Sequence, residues 1–223
     1  MKISEETLIV LGNMAKLNPH LVIEAGSKIR SINEIGSYII EVECNETFPV
    51  QVALHDLGGF LKVLSIFEEP ELTFTDKYVE ITDEFASQKY YFSEPDELIY
   101  DNDEATQLDF GINFKLEFAK FDRALKAAGV NGVEDIIFVG TDAGIFLEAS
   151  DKENPTRAFT IQVSEENHGE FRACMRHGKK NKIGVLPMDY DVSICKDGAI
   201  RFASDIEEFD LVYLMALEAD SEF

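Results

Sequence analysis

Basic side chains are concentrated in one short segment of the chain, residues 170–187, with the sequence EFRACMRHGKKNKIGVLP. Its cations are Arg172, Arg176, Lys179, Lys180 and Lys182. After its first residue the segment has no acid, although the whole chain has 43 acidic against 20 basic residues and a formal net charge of −23. Ammonium and guanidinium groups bind phosphate irrespective of base sequence. Phosphate binding is therefore the chemistry this segment could carry out, in a protein whose total charge repels nucleic acid.

Other segments with reactive residue types are better explained without catalysis. The chain has no GxxxxGK[ST] loop, so we expect no nucleotide hydrolysis. GTDAG at 140–144 lies between two predicted strands and is typical of a hairpin turn. The acidic stretch at 101–111 lacks the glycine and register of a calcium loop, and the one at 204–210 is typical of a solvated turn. We therefore predict a protein that is not an enzyme and that uses no metal or cofactor.

The histidines and cysteines support the same interpretation. His20, His55, His168 and His177 are dispersed, and none is paired with a Ser or Cys in a recognisable catalytic pattern. Three cysteines without CxxC spacing predict buried thiols in a reducing compartment: Cys44, Cys174 and Cys195. No apolar run approaches the roughly 20 residues that a membrane helix needs. The sequence thus indicates an intracellular protein.

The helices and strands that must position the basic residues are predicted to occur in the same order in both halves of the chain. Each half is predicted to run helix, hairpin, two strands, helix and three strands, which gives an α+β protein of two similar domains. The predicted domains are 1–93 and 113–223, joined by an acidic linker over 94–112. Four helices are predicted, two in each domain: 4–17, 56–67, 116–130 and 178–185.

Three stretches resemble the sliding DNA clamps of T-even-type bacteriophages. HDLGGFLKVLSIF at 55–67 resembles their second-helix motif, an aspartate cap followed by Leu-x-Gly-Phe-Leu. The ending VYLMALEADSEF at 212–223 is similar to their C-terminus, and the opening MKISEETLIVLGNMAKLN fits in length and pattern. The order of elements agrees along the whole chain.

This resemblance implies a homotrimeric ring of six domains around double-stranded DNA. It implies a processivity factor that holds the replicative DNA polymerase on DNA and is loaded by an ATP-dependent clamp loader. In phages of this type the clamp also serves late transcription. The implied location is the cytoplasm of the infected bacterial host.

In such a ring the helices line the hole, so basic residues on their exposed faces should face DNA. Lys120, Arg123 and Lys126 recur every three residues opposite the apolar stripe of the third helix. The full predicted set is Lys16, Lys62, Lys120, Arg123, Lys126, Arg176, Lys179, Lys180 and Lys182. For Lys16 and Lys62 taken singly, a merely solvated lysine is the preferred interpretation.

The resemblance also implies a subunit contact between sheet edges and an outer pocket for partner peptides. The strand EFRACMR at 170–176 is a candidate edge by analogy. The residues expected at the pocket are Leu98, Ile99, Tyr100, Leu217, Ala219 and Phe223. The linker is more acidic and poorer in proline than the family pattern, and anchoring of the linker to the core is an equally good interpretation of its apolar residues.

Two other classes of protein remain open from the residues alone. An acidic DNA mimic, which occupies the DNA site of a basic protein, would suit the net charge of −23. Lysines clustered on predicted helices count against it. A magnesium-dependent nuclease ranks behind, because only the acidic stretch at 204–210 favours it.

Overall fold

A computed structural model describes residues 1–98, 108–152, 154–178, 182–204, 206 and 210–223. Its contacts define two compact units, Met1–Glu104 with Glu208–Leu211 and Ala105–Glu207 with Val212–Phe223. Both units combine helix with antiparallel sheet, which confirms the predicted α+β class. The predicted linker over 94–112 and the exact domain boundaries stay a prediction. None of the helices in the described ranges has the length and apolar character to span a bilayer.

The described part of the N-terminal unit contains two α-helices and seven strands. Strands β1 and β4 pair, β2 pairs with β3, and β5, β6 and β7 form a three-stranded sheet. The bounds are α1 Glu5–Leu17, β1 Leu21–Ile23, β2 Gly26–Ile32, β3 Tyr38–Phe48, β4 Val52–Leu54, α2 Leu57–Leu64, β5 Glu71–Phe74, β6 Tyr78–Thr82 and β7 Ser87–Tyr91. A single 3₁₀ turn follows at Pro95–Glu97.

Helix α1 begins where side chains satisfy its free backbone N–H groups. Ser4 Oγ accepts a hydrogen bond from Thr7 N, as expected of an N-cap. Glu46, on β3, accepts bonds from the Ser4 backbone N–H and from the Thr7 hydroxyl. Burial favours a raised pKa for Glu46, but these hydrogen bonds outweigh it and lower the pKa below its usual value. Strand β3 thus positions Glu46 to satisfy two hydrogen-bond donors at the start of α1.

The C-terminal unit contains one described helix and eight strands. Strands β11, β10, β9 and β12 form one antiparallel sheet in that order, and β15, β14, β13 and β8 are neighbours in another. The bounds are β8 Phe110–Leu116, α3 Phe118–Asn131, β9 Asp135–Thr141, β10 Gly144–Ser150, β11 Phe159–Ser164, β12 Phe171–Arg176, β13 Tyr190–Cys195, β14 Ala199–Ser204 and β15 Leu211–Ala216. Strand β8, which pairs with β13, was missed by the sequence prediction.

Helix α3 packs on a cluster of aromatic rings. Its buried residues are Phe121, Ala124 and Ala128, so the small side chains let the helix lie close to the sheets. Phe121 stacks on Phe138, and further rings complete the cluster. The rings are Phe114, Phe121, Phe138, Tyr190, Phe202 and Tyr213. Rings packed edge to face or offset contribute about 0.5–1.5 kcal/mol per pair beyond their buried area.

The ends of α3 are set by residues that the periodicity does not reveal. The backbone N–H of Phe118 donates to Asp189 Oδ1 at 2.7 Å, across 71 residues of sequence. At the other end the helix runs to Asn131, one residue beyond the predicted range of 116–130, and Gly132 is its C-cap. Gly132 adopts φ = 66°, a left-handed conformation that glycine reaches without a steric penalty.

The predicted fourth helix is wrong in its described part. Residues 182–188, which we call the strap, contain no helical residue. The Leu186 N–H donates to the Tyr213 hydroxyl at 3.0 Å, and the Tyr190 hydroxyl donates to the Leu186 carbonyl at 2.6 Å. Inside the predicted range, the Ile183 N–H donates to His177 Nδ1 at 3.1 Å, so this group is not free for a helical hydrogen bond. The C-terminal unit therefore has one helix where two were predicted, within the residues the structure describes.

Two glycine substitutions should change stability in opposite directions. A Cβ at Gly140 in β9 would lie 2.2 Å from the Phe171 ring and 2.6 Å from the Gly169 carbonyl oxygen. Gly140→Ala should therefore lower the free energy of unfolding by about 1–3 kcal/mol. A Cβ at Gly12 in α1 meets nothing within 4 Å. Gly12→Ala should raise the free energy of unfolding by about 1 kcal/mol.

Urea denaturation of both variants measures these changes. Equal effects of the two substitutions would contradict the packing described around Gly140.

Candidate nucleic-acid interface and sheet edges

Helix α3 presents three cations on its solvent side, as predicted. Arg123 is exposed and has no ionic partner among the described residues. Lys120 pairs with Glu117 at 2.7 Å, and Lys126 pairs with Asp122. Both pairs are partly exposed, and ion pairs at the surface are worth little, about 0–1 kcal/mol, so a phosphate can replace the carboxylate at small cost. Among the described residues, helix α3 therefore offers a phosphate one cation without an ionic partner, Arg123, and two lysines whose carboxylate partners a phosphate can replace.

The helices of the N-terminal unit are less basic. Lys16 and Lys62 are exposed, each in the last turn of its helix. A cation there also interacts favourably with the helix dipole, which explains both lysines without any ligand. The solvent side of α1 further carries Glu5 and Glu6. The DNA-facing role of Lys16 and Lys62 stays a prediction.

In the described part of the basic segment, Lys182 and Arg176 are both exposed but differ in their ionic partners. Lys182, at the start of the strap, is exposed and has no ionic partner within the described residues. Arg176, at the end of β12, pairs with Glu134 at 3.1 Å and with Asp135 at 3.4 Å. Because Asp135 is only 5% exposed, its carboxylate needs this partner. Lys179 and Lys180 lie outside the described residues.

The strap adjoins helix α3. Asp189, the residue after the strap, caps α3 through the Phe118 N–H. The tertiary structure therefore connects the two basic elements that the sequence predicts as DNA-facing. Their assignment to a DNA-facing surface stays a prediction.

Two sheet edges are covered by the ends of the chain. On the outer side of β5, Met1 and Leu72 exchange hydrogen bonds of 2.8 Å in both directions. On the outer side of β12, Arg172 and Glu222 form an antiparallel bridge with bonds of 2.7 and 2.8 Å. The candidate edge at 170–176 is β12, which is the last strand of its sheet but has its outer side bridged by the C-terminal tail. Its use as a subunit contact stays a prediction.

The opposite edges of these two sheets are open. Strand β7 is the other edge of the three-stranded sheet in the N-terminal unit, and β11 is the other edge of the four-stranded sheet in the C-terminal unit. Among the described residues, no strand pairs with the outer side of either. Sequence reasoning did not identify these edges, because alternation of exposed residues marks a strand but not its position in a sheet.

The residues predicted at the partner pocket lie in different settings. Leu98 is buried against Val22 and Ala53 in the N-terminal unit, as expected of a linker anchored to the core. In the C-terminal unit Leu217 is buried, whereas Phe223 is 40% exposed and Ala219 is exposed. Ile99 and Tyr100 lie outside the described residues. The pocket as a whole stays a prediction.

The C-terminal tail is fastened to the C-terminal unit by side chains as well as by backbone. Ser221 Oγ accepts a hydrogen bond from Cys174 N at 3.0 Å, and Asp220 pairs with Lys152. The hydrogen bond from Lys152 lowers the pKa of Asp220, so the pair persists throughout the neutral range. Cys174 is fully buried, which agrees with the predicted structural role of the thiols. Within the described ranges, no cluster of three or more His, Cys, Asp or Glu is placed to hold a metal ion.

Comparison with solved structures identifies the architecture as that of a PCNA-type clamp. PCNA of A. fulgidus, solved with the C-terminal region of FEN-1 bound, superposes with a TM-score of 0.71 over 99% of both chains. The sequence identity is 15%, so this likeness shows the fold alone. No protein-family model matches the chain.

Comparison with curated sequences identifies the family. The sliding clamp of Vibrio phage KVP40 is 32% identical over 232 residues, covering 98% of this chain and all of the relative. The sliding clamp of Escherichia phage RB69 is 22% identical over 230 residues, 99% of this chain and 98% of the relative. The chain belongs to the family of bacteriophage sliding clamps. The predicted relationship is confirmed, and with it the general function of a replication clamp that tethers a DNA polymerase.

Arg176 is paired with carboxylates and Lys182 is not paired among the described residues, so the two side chains should contribute differently to stability. Arg176→Gln removes the partner of a buried carboxylate and should lower the free energy of unfolding by about 1–3 kcal/mol. Lys182→Gln removes an exposed, unpaired cation and should change that free energy by less than about 0.5 kcal/mol. Thermal or urea unfolding of the two variants distinguishes them. A similar loss in both would contradict the structural role assigned to Arg176.

Proposed function

We propose that three copies of the chain form a closed ring around duplex DNA and hold the replicative polymerase on its template. The observation that carries the proposal is the similarity to a phage sliding clamp along 98% of the chain. Loading by an ATP-dependent clamp loader and a role in late transcription belong to the same proposal. It is a non-catalytic protein acting in the cytoplasm of the infected host.

The open edges of β7 and β11 support the head-to-tail assembly. One edge belongs to each unit, so a copy can pair its β7 with β11 of the next copy. Such heterologous contacts generate a ring when the rotation per subunit closes. Covering of β5 and β12 by the chain ends leaves β7 and β11 as the open edges of these two sheets, which favours their use in the contact.

The cations of α3 and the strap support an inner surface that attracts DNA weakly. Arg123 and Lys182 are unpaired among the described residues, and the remaining α3 cations sit in exposed pairs. Because encirclement keeps the ring on DNA, the lining needs only sequence-independent attraction that lets the ring slide. A net charge of −23 disfavours unproductive binding of DNA elsewhere on the protein.

Peptide segments of the polymerase and the loader are the proposed protein partners. The neighbouring PCNA structure has the C-terminal region of another protein bound. In this chain Phe223 is partly exposed at the end of a fastened tail, an apolar side chain suited to such a contact. The proposed pocket comprises Leu98, Ile99, Tyr100, Leu217, Ala219 and Phe223.

Retention on circular DNA tests encirclement. The purified protein, loaded with its cognate loader and ATP, should remain on a nicked circle and leave when one restriction cut makes the DNA linear, because a ring slides off a free end. Gel filtration of labelled protein with DNA measures retention. Equal retention of the protein on circular and on linear DNA would contradict encirclement. Binding to neither, with a loader shown to be active on another clamp, would favour the DNA mimic.

Proline on the open edge of β7 tests the ring contact. In the β6–β7 ladder, Asp83 N donates to Ala86 O and Phe92 N donates to Lys77 O. Hydrogen-bonded and non-hydrogen-bonded residue pairs alternate between these two ends, and this places the Glu80–Lys89 pair among the non-hydrogen-bonded ones. The N–H of Lys89 therefore points away from β6. Lys89→Pro should therefore remove an outward donor and leave the β6–β7 pairing intact. We expect the mass in solution to fall from about three times 25.1 kDa to that of a single chain.

Lys89→Ala is the matched control, because it removes the same side chain and keeps the N–H. Light scattering coupled to gel filtration measures both masses at equal concentration. A trimer in both variants would exclude β7 from the contact, provided that circular dichroism shows both to be folded.

A further inference from the structure

Among the described residues, side chains hold the strap that carries Lys182 in its middle and at its start. In its middle, Leu186 is bonded to the hydroxyls of Tyr190 and Tyr213. At its start, the Ile183 N–H donates to His177 Nδ1 at 3.1 Å, and the Ile183 side chain is 5% exposed. The position of Lys182 therefore depends on the hydrogen bond made by the next residue.

The hydrogen bond to Ile183 requires a neutral imidazole. A nitrogen that accepts a bond carries no proton, so the proton of His177 resides on Nε2. The backbone N–H of His177 donates to the Glu134 carbonyl at 2.6 Å, which fixes the residue from which the ring projects. Protonation of Nδ1 would replace the acceptor by a donor facing the Ile183 N–H.

We propose that neutral His177 is a positioning residue that holds the Lys182 end of the strap, and that a proton on Nδ1 releases this end. The tyrosine end is not released by acid, because phenol hydroxyls remain protonated there. Burial raises the pKa of Tyr213 to about 12. Acidification therefore loosens the Lys182 end alone.

The charged groups around His177 set the direction of the pH response. Burial lowers the pKa of His177, Lys182 on the strap lowers it further, and Glu134 before β9 opposes this. Arg176, on β12 with His177 directly after it, is paired with Glu134 and with Asp135 of β9. Because the folded-state pKa lies below the ordinary value, the hydrogen bond is present above about pH 6.5 and is lost as pH falls through the lowered pKa.

A link to DNA follows, and this part rests on the proposed function. A phosphate beside Lys182 would offset the positive charge that lowers the pKa of His177. The pKa of His177 should then rise on the loaded clamp, and release of the strap should occur at higher pH than in the free protein. The strap would thus respond to both acidity and bound DNA.

Amide hydrogen exchange of Ile183 in the full-length free protein tests the positioning role. We expect exchange about five-fold faster in His177→Ala than in the wild type at pH 7.5, corrected for intrinsic rates, because one hydrogen bond is lost. The wild type should approach His177→Ala as pH is lowered to 5. His177→Asn, whose Oδ1 can accept without titrating, should stay protected over the same range. The Leu186 amide, bonded to Tyr213, is the internal control and should not change.

Two results would overturn the positioning role. One is equal Ile183 exchange in the wild type and His177→Ala at pH 7.5. The other is an acid response of Ile183 that persists in His177→Asn.

The same measurement on clamps loaded onto nicked circles separates this inference from the proposed function. An upward shift in the pH midpoint of Ile183 exchange on loading supports a DNA-facing strap. An unchanged midpoint, with the acid response of the free protein intact, would overturn the link to DNA while the role of His177 stands.

Discussion

Unmade backbone hydrogen bonds at sheet edges are the constraint on which this structure depends. A strand at an edge presents N–H and C=O groups that must find partners in water, in the same chain or in another molecule. Here Met1 covers β5 and Glu222 covers β12, so the two ends of the chain close one edge in each unit. The opposite edges of these two sheets, β7 and β11, have no strand paired on their outer sides among the described residues, and they lie in different units. That arrangement permits head-to-tail pairing between copies, which ring formation requires.

Charge is arranged locally in this acidic protein. Arg176 neutralises a buried carboxylate and belongs to the fold, whereas Lys182, six residues later, is exposed and unpaired among the described residues. Cations of both kinds occur in one sequence segment, so the density of basic residues overstates the charge available to a ligand. On α3 the lysine pairs with Glu117 and Asp122 are partly exposed, so a phosphate can replace either carboxylate at small cost. Fewer cations are therefore available to bind phosphate than the number of basic residues in the sequence suggests.

The strap links the fold to this surface. Two tyrosines of the aromatic core use their hydroxyls to hold Leu186, and Asp189 then caps α3. The same side chains therefore fill the core and orient the segment that bears Lys182. A titratable residue, His177, holds the remaining end. Such an arrangement allows a local change in protonation without disturbing the core.

The sequence by itself determined the α+β class, helices α1, α2 and α3, and the family, because apolar periodicity, N-caps at Ser4 and Asp56 and the motifs at 55–67 and 212–223 are local features. Tertiary structure decided the rest. A helix was predicted over 178–185, but its described part is not helical. His177 engages the backbone N–H of Ile183, and the hydroxyls of Tyr190 and Tyr213 engage the backbone of Leu186. Which strands form edges depends on how strands far apart in sequence pair, and the covering of β5 and β12 by the chain ends joins residues about 50 or more positions apart. A local sequence pattern does not show which distant residue a strand or a cation pairs with. Only the tertiary structure therefore reveals which sheet edges and which cations are available for binding.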